Sequence, residues 1–215
     1  MNNKVSSFFL ITLILNIFGC SNSEYLNYNH PNKSFSIEEV DDCDYFPDFS
    51  FSNDEKIHEF SESWYSSHLK IMGECSLHNI PISDGNVIYR FLWLRTFHNP
   101  ICFKLTKGID TIELKLIVLS GFGGYDPGEV KEFITKSITE SQYNKIESII
   151  EELNFWNLSS FEETIGTDGA EWILEGRVNK NYHVIERWCG GNNEKFSTLL
   201  DYLLKLSEYN VKEKY

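Results

Sequence analysis

Cations are scarce in this chain of 215 residues: 19 Lys and Arg stand against 32 Asp and Glu, for a formal net charge of −13. That balance excludes nucleic acid and anionic lipid surfaces as electrostatic partners. The acid is also uneven. Residues 24 to 62 hold eleven Asp or Glu against Lys33 and Lys56 alone, the pattern of a solvated, self-repelling tether. Long apolar runs are missing too. The longest, Val5 to Phe18, falls short of the ~20 residues a helix needs to cross a bilayer.

No catalytic signature is complete. GFGGYDPG, residues 121 to 128, departs from the dinucleotide fingerprint because Asp126 stands where the third glycine belongs, and an aspartate there repels phosphate. It is expected instead to be a tight strand-to-helix turn whose glycines supply positive φ. Ser67, His68, Leu69 and Lys70 match the S-x-x-K of serine acyl-enzymes, yet there is no S-D-N, and Leu105 to Gly108 reads L-T-K-G rather than K-T-G. A G-x-S-x-G elbow is absent, and the calcium-loop pattern breaks across Asp42, Asp44 and Phe46. Six histidines contain no H-E-x-x-H and five cysteines no C-x-x-C. Neither a metal nor a cofactor is therefore expected.

What is present begins with an export signal. One cation, Lys4, precedes the apolar run, and Ile17, Phe18, Gly19 and Cys20 resemble the lipobox of bacterial lipoproteins, which ends on a lipidated cysteine. Residues 1–19 read as the signal peptide, with Cys20 as the lipidation site and a membrane-anchored protein of the cell envelope as the consequence. Removing them takes one cation and no acid, so the mature charge is 18 minus 32, or −14. Export permits oxidation, which makes Cys43, Cys75, Cys102 and Cys189 candidate disulfide cysteines in any of three pairings, or buried thiols.

Residues 20–52 read as an acidic, mostly irregular tether and 53–210 as one α+β domain. A helix over about 54 to 72, with a capping box at Ser52 and Glu55, is expected to pack by Ile57, Phe60, Trp64 and Ile71. VIYRFLWLRT (87 to 96), ICFKLT and TIELKLIVLS make an antiparallel meander, the first strand being central because both its alternating sets are apolar. A short helix near Pro127 and a second opening at Thr139 with Gln142 follow. A hairpin over 166–188 and a last helix over about Glu194 to Glu208 complete the order α-βββ-αα-ββ-α: an antiparallel sheet of about five strands with helices largely on one face.

The hairpin GTDGAEWILEGRVNKNYHVIERW concentrates the candidate polar site: Asp168, Glu171, His183, Glu186 and Arg187. With Asn179, Lys180 and Asn181 as a three-residue loop, Trp172 lies opposite Trp188 and Glu186 falls on the apolar face. An ionised carboxylate there needs a partner, and Arg90 or Arg95 of the central strand is the expected one. The arrangement reads as a buried ion pair fixing strand register, or as a carboxylate lining a pocket.

YRFLWLRTFHNP (89 to 100), GGYDPG (123 to 128), FW (155 to 156), GTDGAEWILEG (166 to 176) and YHVIERW (182 to 188), in that order, resemble a family of uncharacterised exported bacterial proteins. The likeness covers about residues 64 to 206, with DGAxWILEG its most specific block. Cys189 and Gly190 stand where the family continues with Ser-Pro, and this departure is what singles out Cys189 for a disulfide. The resemblance implies no activity. The expected function is an envelope lipoprotein that binds a protein or another envelope component without catalysis. The alternatives are a hydrolase or ligand-binding enzyme with its site near the hairpin, and an acidic inhibitor or immunity-type protein.

Overall fold

A computed structural model describes residues 44–80, 85–164, 166 and 168–214. Cys20, Cys43, the signal segment and most of the tether lie outside the described residues. Three helices and six strands follow in the order α1 (Glu55–Ile71), β1 (Val87–Arg95), β2 (Ile101–Lys107), β3 (Ile112–Leu119), β4 (Val130–Ser137), α2 (Glu140–Glu152), β5 (Ala170–Val178), β6 (Asn181–Trp188) and α3 (Glu194–Ser207). The fold is α+β with one antiparallel sheet in the order β4-β3-β2-β1-β5-β6. β1 is central, as its two apolar sets require.

Two cores result. Tyr89, Phe91 and Trp93 face one way, joining Phe103, Leu116, Trp172 and Ile185 beneath α2 and α3. Leu92 and Leu94 face the other way, joining Ile117, Ile173 and Val184 beneath α1. Two helices thus share one face as expected, and α1 covers the opposite one.

The sheet has six strands because VKEFITKS folds as β4 where a short helix was expected. Its residues alternate between half-buried and exposed along the strand, and the β-branched Val130, Ile134 and Thr135 suit an edge of the sheet. The α2 helix opens on the expected capping box, Thr139 with Gln142. At α1 the cap is Asp54, whose carboxylate accepts from the backbone N–H groups of Lys56 and Ile57.

The tether ends sooner than its acidity suggests. Tyr45, Phe46 and Phe51 are buried against α1, the Tyr45 hydroxyl donates to the Glu74 carbonyl at 2.7 Å, and Ser76 Oγ donates to the Tyr45 carbonyl at 3.2 Å. Acid composition misleads here because the aromatic residues between the acids do the packing.

The β5–β6 hairpin closes one residue tighter than expected. Val178 pairs with Asn181, so the loop is Asn179–Lys180, and Trp172 faces Arg187 rather than Trp188. Asn179 takes the left-handed conformation, φ +53°, which Asn tolerates, and its Oδ1 accepts from the Gly85 N–H at 3.0 Å. A slip of one residue turns every β6 side chain to the other face of the sheet.

Candidate functional site

That slip separates the five hairpin candidates. Glu171 and Glu186 lie on the α1 face; His183 and Arg187 lie on the opposite one; Asp168 is exposed in the turn before β5. His183 packs against Phe155 at 5.0 Å between ring centroids, its Nε2 lies 3.1 Å from the Leu158 carbonyl, and burial lowers its pKa. Arg187 is buried and committed: Nε meets Glu162 at 3.0 Å, and its Nη atoms donate to the carbonyls of Glu186 at 2.6 Å and Ser159 at 2.8 Å. It lines an open cleft of about 420 Å³ with Glu162, Gly190, Gly191, Asn193 and Lys195, whose two cations are both paired with carboxylates.

The buried arginine pair forms with a different glutamate. Arg90, fully buried, donates from Nε to Glu175 Oε2 at 2.6 Å and from Nη2 to Oε1 at 2.8 Å. Glu175, Arg90, Lys104 and Lys115 stand in register on adjacent strands β5, β1, β2 and β3, forming one charged row across the α1 face. Glu74, from the segment after α1, sits on this row, 2.7 Å from Lys104 and 3.8 Å from Arg90. Burial alone would raise the Glu74 pKa; Lys104, Arg90 and Lys115 hold it below the usual range. Tyr182 adds a hydroxyl donated to Glu175 Oε1 at 2.9 Å. The network pins the 72–80 segment to the sheet.

Arg95, the other expected partner, donates to the carbonyls of Glu213 and Asn99, each at 3.0 Å. Glu186 has neither arginine's carboxylate-binding fork. It faces Glu171 and the Tyr65 hydroxyl of α1. Burial, then the Glu186 carboxylate, push the Glu171 carboxyl up to about 9, and Glu171 Oε2 is buried with no hydrogen-bond partner. Glu186 is also raised, first by burial, while contacts with Glu171, Tyr65 and Arg187 pull it back. At neutral pH the pair therefore keeps a proton and holds the inner face of α1.

The outer face of α1 carries the unexpected feature. Ile57 and Phe60, expected to point inward, are exposed, Phe60 by 67%; His58, Tyr65, Ser66, His68 and Leu69 are the residues buried. Phe60 contacts Trp64 with ring centroids 6.0 Å apart. Trp64 Nε1 donates to the Gly123 carbonyl at 2.9 Å, which joins the helix to the β3–β4 loop. There Phe122 and Tyr125 are exposed, Tyr125 by 62%, and Tyr125 meets exposed Phe97 at 6.2 Å. Ahead of α1, Phe49 stacks on His58 at 6.0 Å and is held at φ +58°, a strained conformation for a bulky residue.

Close approach, more than positive φ, explains the glycines of this loop. A Cβ on Gly123 would lie 2.5 Å from the Arg95 nitrogen, and the Gly123 N–H donates to the Arg95 and His98 carbonyls at 3.0 Å each. Among Gly121, Gly123, Gly124 and Gly128, Gly128 alone has a positive φ, +70°. The loop also joins two strands, not a strand and a helix. Its sequence signal was legible as a tight glycine turn, but the aromatic residues interleaved with those glycines carry the surface.

Among the described cysteines, Cys102 and Cys189 are thiols, so the four candidates do not form two disulfides. Cys102 is buried on the sheet, and burial raises its pKa beyond the ordinary thiol range. Among the described residues no group of three or more His, Cys, Asp and Glu is arranged to hold a metal ion, and no helix is long and apolar enough to cross a membrane. In comparisons with known proteins, no family model and no curated sequence matches this chain.

Proposed function

We propose that this protein is an exported lipoprotein, lipidated on Cys20 and held at the membrane by its acyl chains, whose α+β domain works as a protein-binding module rather than a catalyst. The observation that carries the binding reading is the group of exposed apolar side chains on α1 and the loops beside it, Phe49, Ile57, Phe60, Phe122, Tyr125 and Phe97, with Phe60 against half-buried Trp64, which is bonded to the β3–β4 loop, and Tyr125 against Phe97. Single exposed apolar residues are ordinary on any surface; several grouped on one helix and the loop bonded to it mark an interaction site. The likeness of the WILEG and RW blocks to exported bacterial proteins supports the location, as does the apolar run ending in Cys20.

The test is a photo-crosslinking residue at position 60 of the full chain in living cells, with position 109 as the control; Ile109 is 88% exposed on the β2–β3 turn, away from that group. Expected are a discrete adduct from position 60, none from 109, and loss of both palmitate labelling and the adduct in Cys20→Ala. Equal crosslinking from both positions contradicts the binding reading. Palmitate labelling undiminished in Cys20→Ala contradicts the anchor.

A further inference from the structure

The first described residues run beside the segment that follows α1. The Asp44 carbonyl accepts from Asn79 Nδ2 at 3.0 Å, the Tyr45 carbonyl accepts from Ser76 Oγ at 3.2 Å, and the Tyr45 hydroxyl donates to the Glu74 carbonyl at 2.7 Å. That segment is itself fixed to the sheet: the Cys75 carbonyl accepts from Arg90 Nη1 at 2.6 Å, and Glu74 sits 2.7 Å from Lys104. Two cysteines border this contact. Cys75, half-buried, lies between Glu74 and Ser76, and Cys43 directly precedes Asp44. Consecutive Cα atoms stand ~3.8 Å apart, so residues one step along from two segments already in contact are within reach of the ~4.4–6.8 Å Cα separation that a disulfide spans.

The other two cysteines are excluded by place. Cys102 is buried in the core between the sheet and α1, its Sγ faces the Phe103 carbonyl at 3.8 Å, and burial pushes its pKa up, away from the reactive thiolate. The Cys189 N–H donates to the Ala170 carbonyl at 2.8 Å. Ala170 pairs with Arg95 on β1, whereas Cys75 is held at Arg90, a strand distance of roughly 16 Å.

We propose that Cys43 and Cys75 form a disulfide that ties the end of the acidic tether to the segment after α1, an inference that rests on the export reading above because the bond needs an oxidising compartment. One cysteine thiolate attacks a disulfide-bearing oxidant of that compartment, and the second thiolate then attacks the mixed disulfide. The S–S bond between the two cysteines forms, the oxidant's S–S bond breaks, and its two sulfurs leave as thiols with the two protons. The closed loop encloses the whole of α1. A pull from a lipid on Cys20 then enters the domain at Cys43 and passes through Cys75 to Arg90 and the sheet, past the helix rather than along it.

The experiment recovers the full chain from the membranes of expressing cells, with free thiols blocked by N-ethylmaleimide in denaturant, and maps its tryptic peptides by mass spectrometry without reductant. Trypsin places the four cysteines on separate peptides, 34–56, 71–90, 96–104 and 188–195. Expected is a linked pair of 34–56 with 71–90 that separates on reduction, with maleimide on the other two. The purified chain, reduced and then refolded with oxidised glutathione, should give the same pair. Cys43→Ser, Cys75→Ser and the double variant should each lower the melting temperature by the same amount, about 5–15 °C, and reductant should bring the parent to that value, because each change removes one and the same bond. A linked pair that forms with glutathione but is absent from cells keeps the pairing and contradicts the export reading. Maleimide on both 34–56 and 71–90 in both preparations, or 71–90 linked to 96–104 or to 188–195, overturns the pairing. Losses of the two single variants that add in the double variant reveal two separate packing contacts in place of one bond, and overturn it as well.

Discussion

Two glutamates on one face of the sheet meet opposite fates, and the difference is a matter of which neighbour each one finds. Glu175 receives two hydrogen bonds from Arg90 and one from Tyr182, so its charge is matched where water is excluded. Glu186 finds another carboxyl group, Glu171. Removing one partner of a buried ion pair strands the other, at a cost of roughly 3–5 kcal/mol. Glu175→Ala should therefore lower stability by about that amount in denaturant titration, while Glu186→Gln, which relieves a carboxyl–carboxylate contact, should change it by less than ~1 kcal/mol. The reverse ranking would place Arg90 on the wrong carboxylate. Glu171 makes a second prediction. Its folded pKa lies near 9 against about 4.3 in an unfolded chain, so folding binds a proton between those values. The stability this group contributes is complete below pH ~4.3 and lost as pH rises toward 9, with a slope of at most about 1.4 kcal/mol per pH unit. Melting temperatures should fall across that window in the parent and fall less in Glu171→Gln; superimposable profiles would contradict the shared proton. The sequence marked a glutamate needing a partner and an arginine able to supply one, but Glu175 meets Arg90 through the β1–β5 register, which local spacing does not specify, while the hairpin loop decides only the face that Glu186 takes.

At the scale of elements, that loop residue is Asn179. Its left-handed φ lets a two-residue connection close the β5–β6 hairpin, and its side chain bonds the Gly85 backbone. Asn179→Ala should cost about 1–2 kcal/mol through the left-handed penalty alone, whereas Asn179→Gly, which keeps the conformation accessible, should lose less; equal losses in thermal melts would show that the turn conformation does not set the register. Most elements were legible in the sequence. The central position of β1, the α2 capping box and the α3 stripe of Phe196, Leu199, Leu200, Leu203 and Leu204 came directly from periodicity and from Thr139 and Gln142. VKEFITKS was not, because eight residues with Val, Ile and Phe at mixed spacing suit a short helix or an edge strand equally. On α1 the expected stripe holds in part: Trp64 and Ile71 pack against the core while Ile57 and Phe60 face water, because periodicity gives the spacing of apolar residues and not the direction in which the helix is turned. The buried face is marked instead by Tyr65, His68 and Leu69, of which His68 is invisible to a hydrophobic count.

Across the described residues, α1 is held to one side of the sheet. Tyr65 over the acid pair, Trp64 to Gly123, and Glu74 on the charged row fix the helix and its following segment from below. The clamp leaves Ile57 and Phe60 facing water beside the aromatic β3–β4 loop. On the proposed function these aromatic residues are open in the isolated chain and covered by a partner in the cell. Carbene footprinting of Phe60, Phe122 and Tyr125, carried out on the purified full chain and on intact cells, tests it most directly. Strong labelling of all three in the purified chain and protection of all three in cells is the result expected; protection already present in the purified monomer, or equal labelling in both settings, would contradict it.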